Sequence, residues 1–158
     1  MRLFFLCDLR DSVVKKLELI MQRTLAIVKP DGVAQRAIGE VVKRLEGAGF
    51  RIVGMKMVNL SPEKAGSFYA VHRERPFYQS LIKFMSSGPC VPIVLEGENV
   101  IERLRTLMGA TDPAKAAEGT IRKDLAANVE RNVIHGSDSE GSASTEIPFF
   151  FSQFELLP

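Results

Sequence analysis

Apolar residues follow two kinds of pattern along the chain, and each kind predicts a different element. Continuous β-rich apolar runs at 24–29, 50–59 and 90–96 predict buried strands. The first run ends at Lys29, just before the turn signature Pro-Asp-Gly. Between the strands, apolar residues recur three and four positions apart and predict amphipathic helices. These helices are expected to begin near Ile38, Pro62, Pro76, Val100 and Ser139.

The order of these elements favours an α+β fold. It is strand, helix, strand, helices, strand, helix, loop and strand, which matches a split βαββαβ sandwich with a four-stranded sheet and helices covering one face. The ten residues from Ala110 to Gly119 carry no periodic pattern and predict a loop. A loop of that length in a compact domain is often functional.

Residues 1–20 differ from the rest of the chain. Their apolar positions recur at helical spacing, so they could form an amphipathic helix that packs on the body or on a partner. The alternative is an appended segment ahead of a natural start at Met21. We therefore divide the chain into an N-terminal extension, 1–20, and one domain, 21–158. The apolar run at 3–7 is too short for a signal peptide.

Composition narrows the classes of function. The 158 residues are 46% hydrophobic and 25% charged, as in an ordinary globular domain. A net charge of +2 does not favour a nucleic-acid or membrane partner, and no apolar run approaches the roughly 20 residues of a membrane helix. The two cysteines have no metal-binding spacing. A reducing compartment, the cytoplasm, is the simpler expectation.

One of the two histidines lies in a setting that suits chemistry. His135 stands directly before Gly136, Ser137 and other small polar residues. Neutral imidazole is both a base and a nucleophile, and the serines are potential helix N-caps beside an anion site. A structural histidine fits the same local sequence. The other histidine, His72, lies in a charged run that predicts solvated surface.

Several cationic and polar residues could complete a phosphate site around His135. Lys29, Arg105 and Arg122 each lie near an element end or a Gly/Pro loop, and Thr111 and Asn132 could donate hydrogen bonds. Phosphoryl transfer needs chiefly positioning and charge stabilisation. The alternative is that each arginine is simply solvated. No G-x-x-x-x-G-K-[ST] motif occurs, so a P-loop nucleotide site is excluded.

Five separated motifs make the chain resemble the nucleoside diphosphate kinases from about Met21 to Leu156. They are Lys29-Pro-Asp-Gly-Val33, Arg75-Pro-Phe77, Ser87-Gly-Pro89, Gly119-Thr-Ile-Arg122 and Asn132-Val-Ile-His-Gly-Ser-Asp-Ser139. The segment Leu95–Asn99 and the short C-terminal tail look like the bacterial branch.

This resemblance implies a ferredoxin-like fold with an antiparallel sheet. It also implies transfer of the γ-phosphate of a nucleoside triphosphate, mainly ATP, to nucleoside diphosphates, which maintains nucleotide pools. The route would be ping-pong through phosphohistidine, with His135 attacking through Nδ1. Glu146 matches the acid that orients the other ring nitrogen, and Ser137 matches a hydroxyl close to the histidine. Mg²⁺ would arrive on the nucleotide phosphates and not on a protein cage.

The resemblance also implies how the nucleotide is held. Lys29, Arg105, Thr111, Arg122 and Asn132 match the contacts to phosphate and sugar. Phe77 matches the aromatic that stacks on the base, with Tyr69 and Leu81 near it. Such a site lacks base-edge readout, so broad base tolerance is expected. The family assembles as homo-oligomers, and the short tail favours a tetramer over a hexamer.

The chain departs from the family pattern at two places. Residues 1–20 have no usual counterpart. Pro148 lies two residues after Glu146, where relatives usually continue the helix, and we expect the helix to end there. Two other classes of function compete with the enzyme: a non-catalytic nucleotide- or nucleic-acid-binding module and a structural oligomer. No RNP1-like aromatic run supports RNA binding.

Overall fold

A single antiparallel sheet organises the part of the chain that the computed structural model describes, residues 21–158. The extension predicted at 1–20 lies outside the described residues. The spatial strand order is β2-β4-β1-β5, and the short β3 pairs with the start of β4. This order is that of a ferredoxin-like sheet, so the predicted fold is confirmed. The strands are β1 (Met21–Val28), β2 (Arg51–Met55), β3 (Val58–Asn59), β4 (Pro89–Glu98) and β5 (Ile134–Gly136).

Seven α-helices are described between and after these strands. They are α1 (Pro30–Ala34), α2 (Ile38–Gly47), α3 (Pro62–Phe68), α4 (Tyr78–Met85), α5 (Val100–Met108), α6 (Ile121–Leu125) and α7 (Glu140–Phe150). Short 3₁₀ turns follow α3, at Ala70–His72, and α7, at Gln153–Glu155. No helix among residues 21–158 is long and apolar enough to cross a membrane.

Helices cover both faces of the sheet, where the sequence had led us to expect one covered face. Alternate β1 residues point to opposite sides: Ala26 and Val28 join a core with α2, α5 and α6, while Leu25 and Ile27 join a core with α3, α4 and α7. Because the second half of β1 is buried on both sides, its sequence from Leu25 to Val28 is continuously apolar and does not alternate. Helix α7, which follows the last strand, supplies part of this second cover.

Two predicted elements have different bounds in the structure. The strand expected over 50–59 is divided into β2 and β3, with a register shift against β4 between Ile52 and Gly54. The sequence Pro30-Asp31-Gly32, read as a turn, begins the short helix α1, because proline suits the first helical position.

The expectation that α7 ends at Pro148 is wrong. The helix continues through Pro148 to Phe150, and the Phe151 N–H still donates to the Ile147 carbonyl at 2.9 Å. Proline lacks the N–H that would bond the carbonyl four residues earlier. Burial of Ala143 and Phe150 on the helix face outweighs that one missing bond.

Candidate active site

His135 is the central residue of the three-residue strand β5. It pairs with Ile27 of β1, and its neighbours Ile134 and Gly136 pair with Val28 and Ala26. The side chain of His135 is 21% exposed, so the imidazole is held in place but remains accessible. This pairing fixes the histidine backbone against the buried second half of β1.

The carboxylate of Glu146, on α7, orients the imidazole. Its Oε2 atom lies 3.0 Å from His135 Nε2, and the Ser137 hydroxyl donates to the same oxygen at 2.7 Å. The Ser137 oxygen also accepts the Leu25 N–H at 3.3 Å, which ties it to β1. A carboxylate acceptor favours the proton on Nε2 and leaves the Nδ1 lone pair available.

The start of α7 is fixed by its N-cap. Ser139 accepts the Ser142 N–H, and the Ser142 hydroxyl accepts the Ser139 N–H in return, which forms a capping box. The predicted role of Ser139 as a helix cap is therefore confirmed, whereas Ser137 bonds Glu146. Because the cap fixes where α7 begins, it also fixes the position of Glu146 relative to His135.

Two aromatic rings at the end of α3 pack against the imidazole. The rings of Phe68 and Tyr69 meet it edge-on, with centroids 5.5 Å and 5.9 Å away. Burial raises the pKa of Tyr69 far above its ordinary value, so this phenol stays neutral. His72 follows at 6.3 Å from Tyr69, and Phe77 follows at 5.7 Å from His72.

Phe77 ends this row of rings at the surface. Its side chain is half exposed, as a platform for a flat ligand requires. Leu81, one helical turn farther along α4, is partly buried against the core that contains Tyr69. Tyr69 and Phe77 are therefore connected through His72 in a row of rings that begins at His135, and Leu81 packs against the same core as Tyr69.

Lys29 is a buried cation just beyond the end of β1. Its ammonium donates to Asn132 Oδ1 at 2.7 Å and to the Glu130 carbonyl at 2.9 Å. Burial, and secondarily Arg122, lower its pKa to about 8, although the negative charge of Asp31 opposes this shift. Lys29 is thus a lysine held inside the protein, and its affinity for a proton is weakened.

Asn132 links Lys29 to the loop before α6. Its Nδ2 donates to the carbonyls of Val129, at 2.9 Å, and Thr111, at 3.3 Å. The predicted loop Ala110–Gly119 is confirmed, because the chain from α5 to α6 contains only turns and bends. The backbone of Thr111 is therefore fixed to the segment that carries His135.

Two arginines form a positive region beside this loop. Arg122 is buried and donates to the carbonyls of Gly109 and Ile134, both at 2.9 Å, while its Nε has no partner among residues 21–158. Burial, followed by the exposed Arg105, lowers the pKa of Arg122 to about 10. Because neither arginine forms an ion pair among the described residues, their charge is available to an anion.

A cleft of about 840 Å³ adjoins this positive region. It is lined by residues from the start of β1, α5, the loop and the start of α7, and it includes Arg105, Gly109 and Asp138. His135, Lys29 and Asn132 do not line it. The contacts around the imidazole are the firmer guide to the reacting centre, because a volume alone carries no chemistry. Among residues 21–158, no group of three His, Cys, Asp or Glu side chains is arranged to hold a metal ion.

Sequence reasoning missed three residues at this site. Asp31 belongs to the first of the five motifs, which predicts no role for it, yet its carboxylate accepts the Val133 N–H at 2.9 Å. Val133 has a φ of +68°, for which a valine gives no sequence signal. Phe68 was not distinguished from other core aromatics, although it contacts the imidazole.

Comparisons with known proteins agree with this geometry. A family profile described as nucleoside diphosphate kinase matches residues 22–156. The nucleoside diphosphate kinase of Desulfosudis oleivorans is 60% identical over 137 residues, 87% of this chain and 99% of the relative. That of Desulfatibacillum aliphaticivorans is 57% identical over 136 residues, 86% of this chain and 99% of the relative.

Solved structures give the same result. An orthorhombic crystal form of the Aquifex aeolicus nucleoside diphosphate kinase has a TM-score of 0.85 and 48% identity, and the match covers 87% of this chain and 99% of that one. The halophilic nucleoside diphosphate kinase from Halobacterium salinarum, solved in complex with CDP, has a TM-score of 0.84 and 44% identity, with coverage of 87% and 91%.

Proposed function

The chain belongs to the nucleoside diphosphate kinase family, and on that premise we propose that it transfers the γ-phosphate of a nucleoside triphosphate, mainly ATP, to nucleoside diphosphates through phosphohistidine at His135. The contact that carries this proposal is the one between His135 Nε2 and Glu146 Oε2, at 3.0 Å. This contact favours the ring proton on Nε2, and in the proposal the lone pair of Nδ1 is then the nucleophile. The reaction would maintain nucleoside triphosphate pools in the cytoplasm.

The first half-reaction forms the bond between His135 Nδ1 and the γ-phosphorus and breaks the bond from that phosphorus to the bridging oxygen. The nucleoside diphosphate leaves with that electron pair. Positive charge develops on the imidazole as Nδ1 attacks, and the carboxylate of Glu146, itself held by Ser137, stabilises it. The second half-reaction is the reverse, with the terminal phosphate oxygen of another nucleoside diphosphate as the acceptor.

The positive charge around the imidazole supplies the phosphate site in this proposal. Lys29, Arg122 and Arg105 are cationic at neutral pH. The guanidinium of Arg122 is held by the carbonyls of Gly109 and Ile134, so its charge has a fixed place beside the loop. The Thr111 side chain supplies a hydrogen bond to phosphate and sugar, and Asn132, whose amide bonds Lys29 and two carbonyls, holds the ammonium of Lys29 beside that site.

The base is proposed to stack on Phe77, beside Tyr69 and Leu81. A stacking platform accepts any base because each base presents a π-face. The Halobacterium salinarum relative, which was solved with CDP, supports a pyrimidine nucleotide in an equivalent site. We therefore propose that purine and pyrimidine diphosphates both act as acceptors.

A divalent cation, Mg²⁺, is proposed to enter with the nucleotide. The donors around His135 suit phosphate oxygens, since they are ammonium, guanidinium and amide groups and not a set of carboxylates. When bound, Mg²⁺ neutralises phosphate charge. The residues of this chain orient the imidazole, hold the phosphates and carry the positive charge.

The experiment is incubation with γ-labelled ATP and Mg²⁺ without an acceptor, followed by acid and alkali treatment. We expect label that survives alkali, is lost in acid and is chased onto GDP, CDP or UDP. The chain offers a matched control, because it has only two histidines: His135→Ala should lose the label and His72→Ala should keep it. Label retained by His135→Ala would remove His135 as the nucleophile. A folded wild-type protein that binds nucleotide without taking label would favour the binding module.

The same activity defines a test of the predicted extension. We propose that residues 1–20 are dispensable and that the protein is a homo-tetramer. Deleting 1–20 should leave turnover unchanged, and light scattering of both proteins should give four subunits. Lost activity or solubility in the deletion would contradict the appended segment, and six subunits would contradict the tetramer.

A further inference from the structure

The residue two positions before His135 has a strained backbone. Val133 is fully buried and has a φ of +68°, a region that β-branched residues rarely occupy. The Ile134 N–H donates to the Asn132 carbonyl at 2.7 Å, which closes a three-residue γ-turn around Val133. Such strain persists only where the surroundings impose it.

Residues at the start of helix α1, which lie much earlier in the chain, hold this turn in place. The Asp31 carboxylate accepts the Val133 N–H at 2.9 Å, and the Lys29 N–H donates to the Val133 carbonyl at 2.8 Å. Gly32 makes the approach possible, because a Cβ there would lie 3.2 Å from the Val133 carbonyl oxygen and 2.9 Å from Val28 Cγ1. The peptide groups on both sides of Val133 are thus held by residues 29–31.

Stability alone does not account for Asp31. The residue is only 9% exposed, and its Oδ1 has no partner among residues 21–158. A buried carboxylate with one unsatisfied oxygen is unfavourable compared with an apolar side chain. Its surroundings identify what it does: it bonds the turn between Asn132 and His135, and its charge acts on Lys29.

We propose that Asp31 is a positioning residue for phosphoryl transfer. Its hydrogen bond to Val133 holds the γ-turn, and that turn places the Asn132 side chain within reach of Lys29 and the imidazole of His135 within reach of Glu146. The proposal rests on the proposed function. Without the bond, Val133 can relax from positive φ, and the segment on both sides of it moves. A displacement on the scale of 1 Å at a reacting group can lower a rate by about a hundredfold.

The test compares two variants by single-turnover labelling at saturating ATP, per folded chain. Asp31→Ala removes the acceptor, and we expect phosphohistidine formation to slow by about tenfold to a hundredfold. Asp31→Asn retains an acceptor oxygen without the charge, and we expect a rate within about threefold of wild type at pH 7. Should Asp31→Ala not fold, Asp31→Glu replaces it, because the added methylene displaces the acceptor.

Two further measurements separate positioning from stability. Asp31→Asn should move the alkaline limb of the pH–rate profile to lower pH, since the charge of Asp31 raises the pKa of Lys29. The control is Glu96→Gln, which loses ion pairs to Arg23 and Arg51 at 2.8 Å and 2.7 Å in the sheet. It should lower Tm and leave the labelling rate unchanged.

The outcomes are distinguishable. A wild-type rate in Asp31→Ala overturns the positioning role while His135 labelling still stands. An Asp31→Asn rate as slow as that of Asp31→Ala overturns it as well, because charge and not the hydrogen bond would then be responsible. If Glu96→Gln slows labelling as much as Asp31→Ala does, the slow labelling of Asp31→Ala results from lost stability and not from lost positioning. Failure of the proposed function appears separately, as no label on the wild-type protein.

Discussion

Glu146 Oε2 accepts hydrogen bonds from two residues of the segment that begins with β5: it lies 3.0 Å from His135 Nε2 and 2.7 Å from the Ser137 hydroxyl oxygen. Glu146 is eleven residues beyond His135 and reaches it from the second turn of α7. One carboxylate oxygen thereby orients the imidazole and favours the tautomer with the proton on Nε2.

Replacing Glu146 with glutamine should slow phosphohistidine formation by at least about tenfold. The amide retains the shape but loses the charge, and a hydrogen bond to a charged group is worth about 1.5 to 3 kcal/mol. Rapid-quench labelling measures the rate. Glu155→Gln, which removes the charge that bonds Lys56 and Ser152 at the surface, is the control and should label like wild type. Equal rates in the two variants would contradict an orienting role for Glu146.

The activity should fall in alkaline solution as Lys29 loses its proton. The pKa of Lys29 is lowered to about 8, so its positive charge is present below that pH and lost as pH rises through it. We expect kcat/KM to decline with an apparent pKa near 8, whereas bound phosphate should shift the decline in kcat to higher pH. Lys29→Ala should lower turnover strongly and abolish this limb. If Lys29→Ala kept the same alkaline decline in kcat/KM, a group other than Lys29 would be responsible for that decline.

Pro148→Ala should stabilise the protein without changing its turnover. Alanine restores the N–H that α7 lacks and can bond the Ser144 carbonyl, which predicts a gain of about 1 to 3 kcal/mol. Calorimetry should show a higher Tm, by roughly 2 to 4 °C for each kcal/mol. Pro113→Ala, in the loop, is the control and should lower Tm slightly. A fall in Tm for Pro148→Ala would mean that proline fits this helix better than alanine.

Two glycines should respond oppositely to alanine. At Gly136 the new methyl would lie 2.6 Å from Met108 Sδ and 3.0 Å from Leu104 Cδ2, so overpacking should lower stability by about 1 to 3 kcal/mol and displace the adjacent His135. At Gly39, in α2, nothing lies within 4 Å, and alanine should add about 0.5 to 1 kcal/mol. Urea unfolding measures both. If the two substitutions changed the free energy of unfolding equally, β5 would have room to accommodate the added methyl group.

The sequence predicted the parts of this molecule that depend on local pattern. The apolar run of β1 and the helix signals at Pro62 and Ser139 reflect forces between near neighbours in the chain. The motifs identified the family because each is short and contiguous. The second covered face of the sheet escaped this reasoning, since the packing of α7 depends on residues far apart in sequence.

The errors at the site have the same cause. Pro148 was expected to stop a helix, but tertiary burial overrides local propensity there. The positive φ of Val133 has no local origin, because the Asp31 carboxylate that stabilises it is 102 positions away. The burial of Lys29 also has no local signal, because its partners Asn132 and Glu130 meet it only through the pairing of β1 with β5.

The bonds from Lys29 and Asp31 to Asn132 and Val133 span 103 and 102 residues of chain. Contacts of such long sequence separation form late in folding, because the intervening loop must close before they are made. A partly folded chain would therefore have His135 without the bonds of Lys29 and Asp31 to the preceding residues. During refolding, catalytic activity should return only with the last kinetic phase, after helical circular dichroism has recovered. Phosphoryl transfer should therefore begin only after β1 and α1 have met the segment that carries His135.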